Sequence, residues 1–121
     1  MGSRTLIVED DGVTRHALRR AVMVLDHETE VATSVAEARA KLSAWRPNQV
    51  LLDLMLPDGN GLRVLEEVRK SNLPVKVAVV TGADDDRLLD EVRQSHPDAF
   101  FSKPLNVADL MKWLRETGDE A

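Results

Sequence analysis

Short stretches of apolar residues alternate with amphipathic stretches along nearly the whole chain. The apolar stretches predict β-strands, because they are short, bounded by polar or turn residues, and several are rich in β-branched residues. An apolar run without polar alternation is typical of parallel strands that are covered on both faces. We predict five strands: Thr5–Val8, Glu28–Ala32, Gln49–Asp53, Val75–Thr81 and Ala99–Ser102.

The segments between these strands predict helices, at about 13–25, 35–45, 60–70, 85–95 and 107–116. Ser34 and Glu37 form an S-x-x-E capping box before the second helix, and Asn106 suits the start of the last one. Strand and helix therefore alternate five times. Because such crossovers are right-handed and place helices on both faces, we predict an α/β fold with a doubly wound, five-stranded parallel sheet, (βα)5, in the flavodoxin-like strand order 2-1-3-4-5.

The composition agrees with a single domain over residues 1–121, because 43% hydrophobic and 31% charged residues are ordinary globular proportions. Residues 1–3 have the composition of an expression remnant, and residues 117–121 that of a polar tail or the start of a linker. The chain has no Cys and no apolar run of membrane-spanning length, so we expect a cytoplasmic protein without membrane contact. A net charge of -5 argues against direct nucleic-acid binding, which needs clustered Lys and Arg.

Polar and charged residues stand where the predicted strands end, namely Glu9, Asp10 and Asp11 after the first, Asp53 in the third, Thr81 in the fourth and Lys103 after the fifth. Ligand sites of open α/β sheets lie at the carboxyl ends of the strands. We therefore expect these side chains to converge on one edge of the sheet. Asp53 also interrupts an apolar run, and burying an acid without a partner is costly, which indicates a functional role.

These residue types together predict a magnesium site that takes up a phosphoryl group. Carboxylates held close together repel one another, and a divalent cation relieves that repulsion. With oxygen ligands alone, Mg²⁺ is the expected ion, and Glu9 and Asp10 are its candidate ligands beside Asp53. Lys103 supplies a positive charge and Thr81 a hydroxyl to phosphoryl oxygens, which equips Asp53 to act as the nucleophile.

Four stretches of the chain resemble the receiver domains of two-component response regulators. They are "LIVEDD" after the first strand, "VLLDLMLPDGNG" around Asp53, "VVTGA" at the fourth strand and "FFSKPL" at the fifth. They occur in the family's order, each at the carboxyl end of a strand, and together they span residues 5 to about 116. The resemblance implies a signalling switch rather than an enzyme, with no chemistry beyond Mg²⁺-dependent autophosphorylation and autodephosphorylation.

The resemblance also implies roles for individual residues. Asp53 would be the phosphoacceptor, while Thr81 and Lys103 would bind the phosphoryl group. The Lys103-Pro104 peptide bond would be cis. The implied ligands of Mg²⁺ are Asp10, Asp53 and the Met55 carbonyl, with Glu9 assisting through water.

Partners follow from the same resemblance. It implies phosphoryl transfer from a sensor histidine kinase or a phosphotransfer protein, and a response at the face formed by the fourth helix, the fifth strand and the fifth helix. Phe100 would fill the aromatic switch position of that face, which an output domain or a homodimer would contact. His96-Pro97 stands where many receivers carry Gly-Ala, and this stiffer segment is expected to alter the mobility of the fourth helix.

The last helix predicts a core stripe of Val107, Leu110 and Leu114. Trp113 would then lie either on a partner surface or at the edge of the core. The helix does not resemble the basic, salt-bridged face of the winged-helix transcription-factor subgroup.

Three other classes fit parts of the pattern. Haloacid-dehalogenase-type phosphatases also use an Asp nucleophile and Mg²⁺, but they need a second acid two residues later, where this chain has Met55. A flavodoxin-like FMN carrier needs a Ser/Thr-rich loop after the first strand, where Glu9 and Asp10 would repel the FMN phosphate. A degenerate receiver that only docks is disfavoured by the complete acceptor set.

Overall fold

The computed structural model describes residues 3–118, in which helices cover both faces of one central sheet. The strands in chain order are β1 (Arg4–Val8), β2 (Glu28–Ala32), β3 (Gln49–Leu52), β4 (Met55–Leu56), β5 (Gly59–Asn60), β6 (Lys76–Thr81) and β7 (Ala99–Ser102). The central sheet has five parallel strands in the order β2-β1-β3-β6-β7, which confirms the predicted order 2-1-3-4-5. The short strands β4 and β5 pair separately as an antiparallel hairpin.

Five helices connect the strands, with the bounds α1 (Gly12–Val24), α2 (Val35–Ala44), α3 (Leu62–Lys70), α4 (Asp86–Gln94) and α5 (Val107–Gly118). Side-chain oxygens of Asp11, Ser34 and Asp85 accept backbone N–H bonds at the starts of α1, α2 and α4. Asn106 does the same for α5, as predicted, through the Asp109 N–H at 3.2 Å. Within residues 3–118, no helix combines the length and the apolar character needed to cross a membrane.

The start of α2 is also held by the loop that follows β3. The Asp58 carboxylate accepts the backbone N–H groups of Val35 at 2.7 Å and Ala36 at 3.0 Å. These two bonds stabilise the charged carboxylate, with the Ala36 contact contributing most, and so hold the pKa of Asp58 below its usual value. The loop between β3 and α3 is therefore tied to the neighbouring helix.

The two faces of the sheet bury alternate residues of the central strands. On one face, Leu6, Val8, Val50, Leu52, Val77 and Val79 pack with buried residues of α2, α3 and α4. On the other face, Ile7, Leu51 and Ala78 pack with Leu18 and Val22 of α1 and with Leu110 and Leu114 of α5. This two-sided core confirms the doubly wound architecture, and it explains why the central strands are apolar without alternation.

The structure corrects several predicted boundaries. β3 ends at Leu52, so Asp53 lies just beyond the strand. The hairpin of β4 and β5 was not predicted, and because Asn60 pairs with Met55 in it, α3 begins at Leu62 rather than at residue 60. α5 continues to Gly118, so residues 117 and 118, which were predicted to belong to a polar tail, are helical.

The two chain ends are described in part. Ser3, predicted to belong to a remnant, is buried, and its hydroxyl donates a hydrogen bond to the Gly118 carbonyl. The other residues of the predicted remnant, 1–2, and of the predicted tail, 119–121, lie outside the described residues.

The predicted core stripe of α5 is wrong at its first member. Leu110 and Leu114 are fully buried, but Val107 is 45% exposed, because it is the first residue of the helix and lies outside the cluster that those two leucines join. Trp113 is partly buried against that cluster. Of the two predicted positions for Trp113, the structure therefore favours the edge of the core.

Candidate functional site

The loop after β1 carries two acids with different surroundings. The Glu9 N–H still donates to the Ala32 carbonyl at 3.0 Å, in continuation of the sheet, and the Glu9 side chain is buried. One carboxylate oxygen of Glu9, Oε2, accepts the Asp11 N–H at 3.1 Å. Asp10, by contrast, is exposed to solvent.

Asp53 follows β3 and is positioned by its own backbone. Its N–H donates to the Val8 carbonyl at 2.9 Å, which ties the residue to the end of β1. The side chain is only 8% exposed, and its Oδ1 accepts the Met55 N–H at 3.3 Å. The carboxylate therefore stands at the carboxyl edge of the sheet, almost entirely removed from bulk water.

Lys103 brings the two buried acids together. Its N–H donates to the Thr81 carbonyl at 2.9 Å, which anchors the residue after β7 next to the end of β6. Its Nζ donates to Glu9 Oε1 at 2.7 Å and lies 3.4 Å from Asp53 Oδ2. Three side chains from three different strand ends thus form one cluster, and the Lys103-Pro104 peptide bond is cis, as the resemblance implied.

Burial and charge act in opposite directions on this cluster. Burial raises the pKa of Glu9; the hydrogen bond from Lys103 opposes that rise and the neighbouring Asp53 adds to it. Burial would lower the pKa of Lys103, but the hydrogen bond to Glu9 and the charge of Asp53 outweigh it, so the pKa of Lys103 is raised. Lys103 is therefore firmly cationic, and its single positive charge faces two buried acidic side chains.

Thr81 and Phe100 lie on the neighbouring strands β6 and β7. Thr81 is the buried last residue of β6, and its hydroxyl accepts the Ala83 N–H at 3.2 Å. Phe100 pairs in register with Val79 across β6 and β7 and is 44% exposed. Its ring borders a cavity of about 200 Å³ that is also lined by Leu89, Val92, Arg93 and Pro97.

The predicted metal ligands are brought together only in part. Glu9 and Asp53 share Lys103, whereas the Asp10 side chain is exposed to solvent. The Met55 carbonyl stays a predicted ligand. Among residues 3–118, no three His, Cys, Asp or Glu side chains are grouped as a metal site would need. The donor chemistry still fits Mg²⁺, because carboxylate and carbonyl oxygens are the ligands this ion prefers.

Two residues that the sequence analysis did not single out support the site. Arg15 donates from Nη1 to the carbonyl oxygens of Glu9 at 3.2 Å and Asp10 at 3.0 Å. Gly61 lies so close to the Asp53 backbone that a Cβ atom would stand 2.0 Å from the Asp53 carbonyl oxygen. The sequence shows a basic residue near a helix start and a second glycine in "PDGNG". Neither feature predicts which atoms the residue contacts.

Comparison with known proteins places this chain in a family. Residues 5–115 match the family model of the response regulator receiver domain. The transcriptional regulatory protein KdpE of Staphylococcus aureus is 28% identical over 115 residues, which cover 95% of this chain and 49% of that protein. The virulence transcriptional regulatory protein PhoP of Salmonella typhimurium is 31% identical over 108 residues, which cover 89% of this chain and 48% of that protein. The chain thus spans about half the length of these curated relatives.

Solved structures agree with the family match. A response regulator receiver domain protein (CheY-like) from Methanospirillum hungatei JF-1 is similar with a TM-score of 0.89 and 29% identity, covering 96% of this chain and 93% of that chain. A DNA-binding response regulator of the LuxR family from Staphylococcus aureus gives a TM-score of 0.87 and 26% identity, covering 95% and 98%. The chain belongs to the response regulator family, as a receiver domain of two-component systems.

Proposed function

We propose that this chain is a phosphorylation-controlled switch that takes a phosphoryl group onto Asp53 from a sensor histidine kinase or a phosphotransfer protein. The observation that carries this proposal is the Asp53 side chain at the carboxyl edge of the sheet, 8% exposed and 3.4 Å from the Lys103 ammonium. A carboxylate in such surroundings is a nucleophile beside a charge that can receive phosphoryl oxygens.

In the proposed reaction, a carboxylate oxygen of Asp53 attacks the phosphorus atom of a phosphohistidine. The new O–P bond forms as the P–N bond to the donor histidine breaks, and the histidine nitrogen leaves with the electron pair. Lys103 then pairs with a phosphoryl oxygen, in place of part of its present contact with Glu9 and Asp53. Thr81 donates its hydroxyl to a second phosphoryl oxygen.

Mg²⁺ is part of this proposal. Asp10, Asp53 and the Met55 carbonyl would hold it, with Glu9 acting through water. When bound, the ion supplies positive charge that offsets both the acids and the incoming phosphoryl oxygens. The exposed position of Asp10 supports this assignment, because Mg²⁺ keeps several of its waters and binds where water has access.

We propose that the output is a change in the face formed by α4, β7 and α5. Thr81 ends β6, next to β7, and the half-exposed Phe100 ring lies on β7 between α4 and solvent. Movement of Thr81 toward the phosphoryl group would open space that the Phe100 ring can occupy. An output domain or a second copy of the chain would contact the reshaped face.

A signalling role is favoured over an enzymatic one. Phosphatases of the haloacid-dehalogenase type need an acid two residues after the nucleophile, and this position is Met55, whose side chain is 66% exposed. The chain therefore has no general acid there for turnover of phosphate esters. A cytoplasmic location is part of the proposal and is supported by the absence of Cys from the sequence.

The experiment is labelling with acetyl phosphate and Mg²⁺, followed by intact mass spectrometry. Wild-type protein should gain the mass of one phosphoryl group, and Asp53→Asn should gain none, because an amide is not a nucleophile. Asp58→Asn is the matched control, since it makes the same acid-to-amide change in the same loop and should still be labelled. Single-site labelling of Asp53→Asn would show that the acceptor lies elsewhere.

A further inference from the structure

Arg15 holds the main chain of the acidic loop after β1. Its Nη1 donates to two consecutive carbonyl oxygens, Glu9 O at 3.2 Å and Asp10 O at 3.0 Å. Both bonds come from one nitrogen, which has two hydrogens to donate. These bonds reach back five and six residues along the chain, across the start of α1.

The position of Arg15 in α1 is electrostatically unfavourable on its own. Arg15 is the fourth residue of the helix, where the partial positive charge of the helix N-terminus disfavours a cation. Long side chains on a helix lean toward its N-terminus, which directs the guanidinium at the loop that precedes the helix. The two carbonyl acceptors and the nearby Asp11 carboxylate offset this unfavourable placement.

We propose that Arg15 is a positioning residue for the Mg²⁺ site of the proposed function. By fixing the carbonyls of Glu9 and Asp10, Arg15 holds their α-carbons, and hence the start of each acidic side chain, at the carboxyl edge beside Asp53. Asp10 depends on this most, because its side chain is exposed while that of Glu9 is already held by Lys103 and the Asp11 N–H. This inference rests on the proposed function and extends it to a residue outside the acceptor set.

The hydrogen bonds of Arg15 and its positive charge have opposite effects on Mg²⁺ affinity, and this difference makes the proposal testable. Loss of the two hydrogen bonds loosens the loop and weakens binding, as is common when a residue that orients a metal ligand is removed. Loss of the positive charge removes repulsion toward a cation and strengthens binding. Arg15→Lys keeps the charge and lacks the planar guanidinium, whereas Arg15→Gln removes both.

The experiment is a calorimetric titration of the whole chain with Mg²⁺, together with melting temperatures in EDTA. Arg15→Lys should weaken Mg²⁺ affinity by about 10-fold, and Arg15→Gln should weaken it less, because its lost charge partly offsets the loosened loop. Arg19→Lys, at an exposed position of the same helix, is the control and should leave the affinity unchanged.

Three results would overturn the proposal. Wild-type affinity in Arg15→Lys with tighter binding in Arg15→Gln would show that Arg15 acts through its charge alone. A lower melting temperature with unchanged affinity in both variants would show a role in folding alone. A wild-type protein that binds no Mg²⁺ would overturn the metal part of the proposed function as well, and this outcome is distinct from the other two.

Discussion

Lys103 supports two buried acids with one charge. Its Nζ donates to Glu9 at 2.7 Å and lies 3.4 Å from Asp53, and the side chains of these acids are 2% and 8% exposed. Buried carboxylates that lose their counter-charge are strongly destabilising. Lys103 therefore contributes to the stability of the fold as well as to the proposed phosphoryl binding.

We predict that Lys103→Met lowers the free energy of unfolding by about 3 kcal/mol in EDTA, because both acids are left buried without a cation. Urea denaturation measures this loss. Lys112→Met is the matched control, since Lys112 lies 3.9 Å from Glu116 in an exposed pair and should cost less than about 1 kcal/mol. Equal losses in the two variants would contradict a structural role for the Lys103 charge.

The sequence predicted the residues of this cluster more easily than the residues around it. Glu9, Asp53 and Lys103 each follow a strand, and strand ends of a parallel sheet meet at one edge, so pattern alone places them near one another. Arg15 and Gly61 act through contacts with main-chain oxygens of other segments. Such contacts depend on atomic distances that no periodicity encodes.

The first four helices end in the same unusual way. Each is followed by a non-glycine residue with a positive φ, between 52° and 61°, and these residues are Asp26, Arg46, Asn72 and His96. L-residues pay about 1–2 kcal/mol for this conformation, which is why glycine usually ends a helix in this way. At α1 the residue is also an acid, and the C-terminus of a helix disfavours negative charge. Asp26 thus combines two unfavourable features.

We predict that Asp26→Gly raises the free energy of unfolding by about 1 kcal/mol, because glycine adopts positive φ without strain and removes the unfavourable charge. Asp26→Ala separates the two causes, since alanine removes the charge and keeps the strain. Thermal and urea unfolding should therefore rank the glycine variant above the alanine variant. If the alanine variant were equally stable, the backbone conformation would not limit stability here.

Helices and strands with a clear pattern of apolar residues were predicted well. Elements that are held by contacts with residues distant in sequence were not. The hairpin of β4 and β5 has two residues in each strand, too few to show an alternating pattern. The last turn of α5 is polar in sequence but is held by the sheet, because the buried Gln49 side chain donates to the Leu114 carbonyl at 3.0 Å and to the Thr117 hydroxyl at 2.7 Å.

The candidate site and the contacts that anchor α5 and α3 lie at opposite edges of the sheet. The acids and Lys103 lie at the carboxyl edge, while Gln49 fastens α5 at the amino edge. A second anchor there joins α3 to the segment before β7. Arg69 donates to the His96 carbonyl at 2.8 Å and to the Asp98 carboxylate at 2.9 Å, and Asp98 in turn accepts the Val77 N–H at 2.7 Å.

These anchors bear on how α4 can move. The segment after α4 is bound to α3 through Arg69. It also contains His96-Pro97, in which the proline restricts the backbone. The segment before α4, by contrast, begins at Thr81, which the proposed phosphoryl group would attract. We therefore expect α4 to pivot about its C-terminal end, with the largest displacement at its N-terminal end.

We predict that beryllofluoride, a phosphoryl mimic, with Mg²⁺ shifts the NMR signals of residues 81–86 and Phe100 more than those of Arg69 and Gln49. Thr81→Ala should still bind the mimic near Asp53 but lose most of the shift at Phe100, because the hydroxyl that moves is gone. Thr81→Ser is the control and should restore it. Wild-type shifts at Phe100 in Thr81→Ala would mean that the signal travels through Lys103 or the loop after β6.

The contact between Gly61 and the Asp53 carbonyl has a consequence for genetics. A genetic screen for loss of signalling should recover missense alleles at codon 61 as well as alleles of the proposed acceptor, although Gly61 has no side chain to take part in the chemistry. Even alanine would be selected against, since its methyl group meets backbone atoms that cannot give way. Cellular abundance would separate the two classes: Asp53→Asn protein should accumulate normally, whereas Gly61→Ala protein should be depleted by proteolysis.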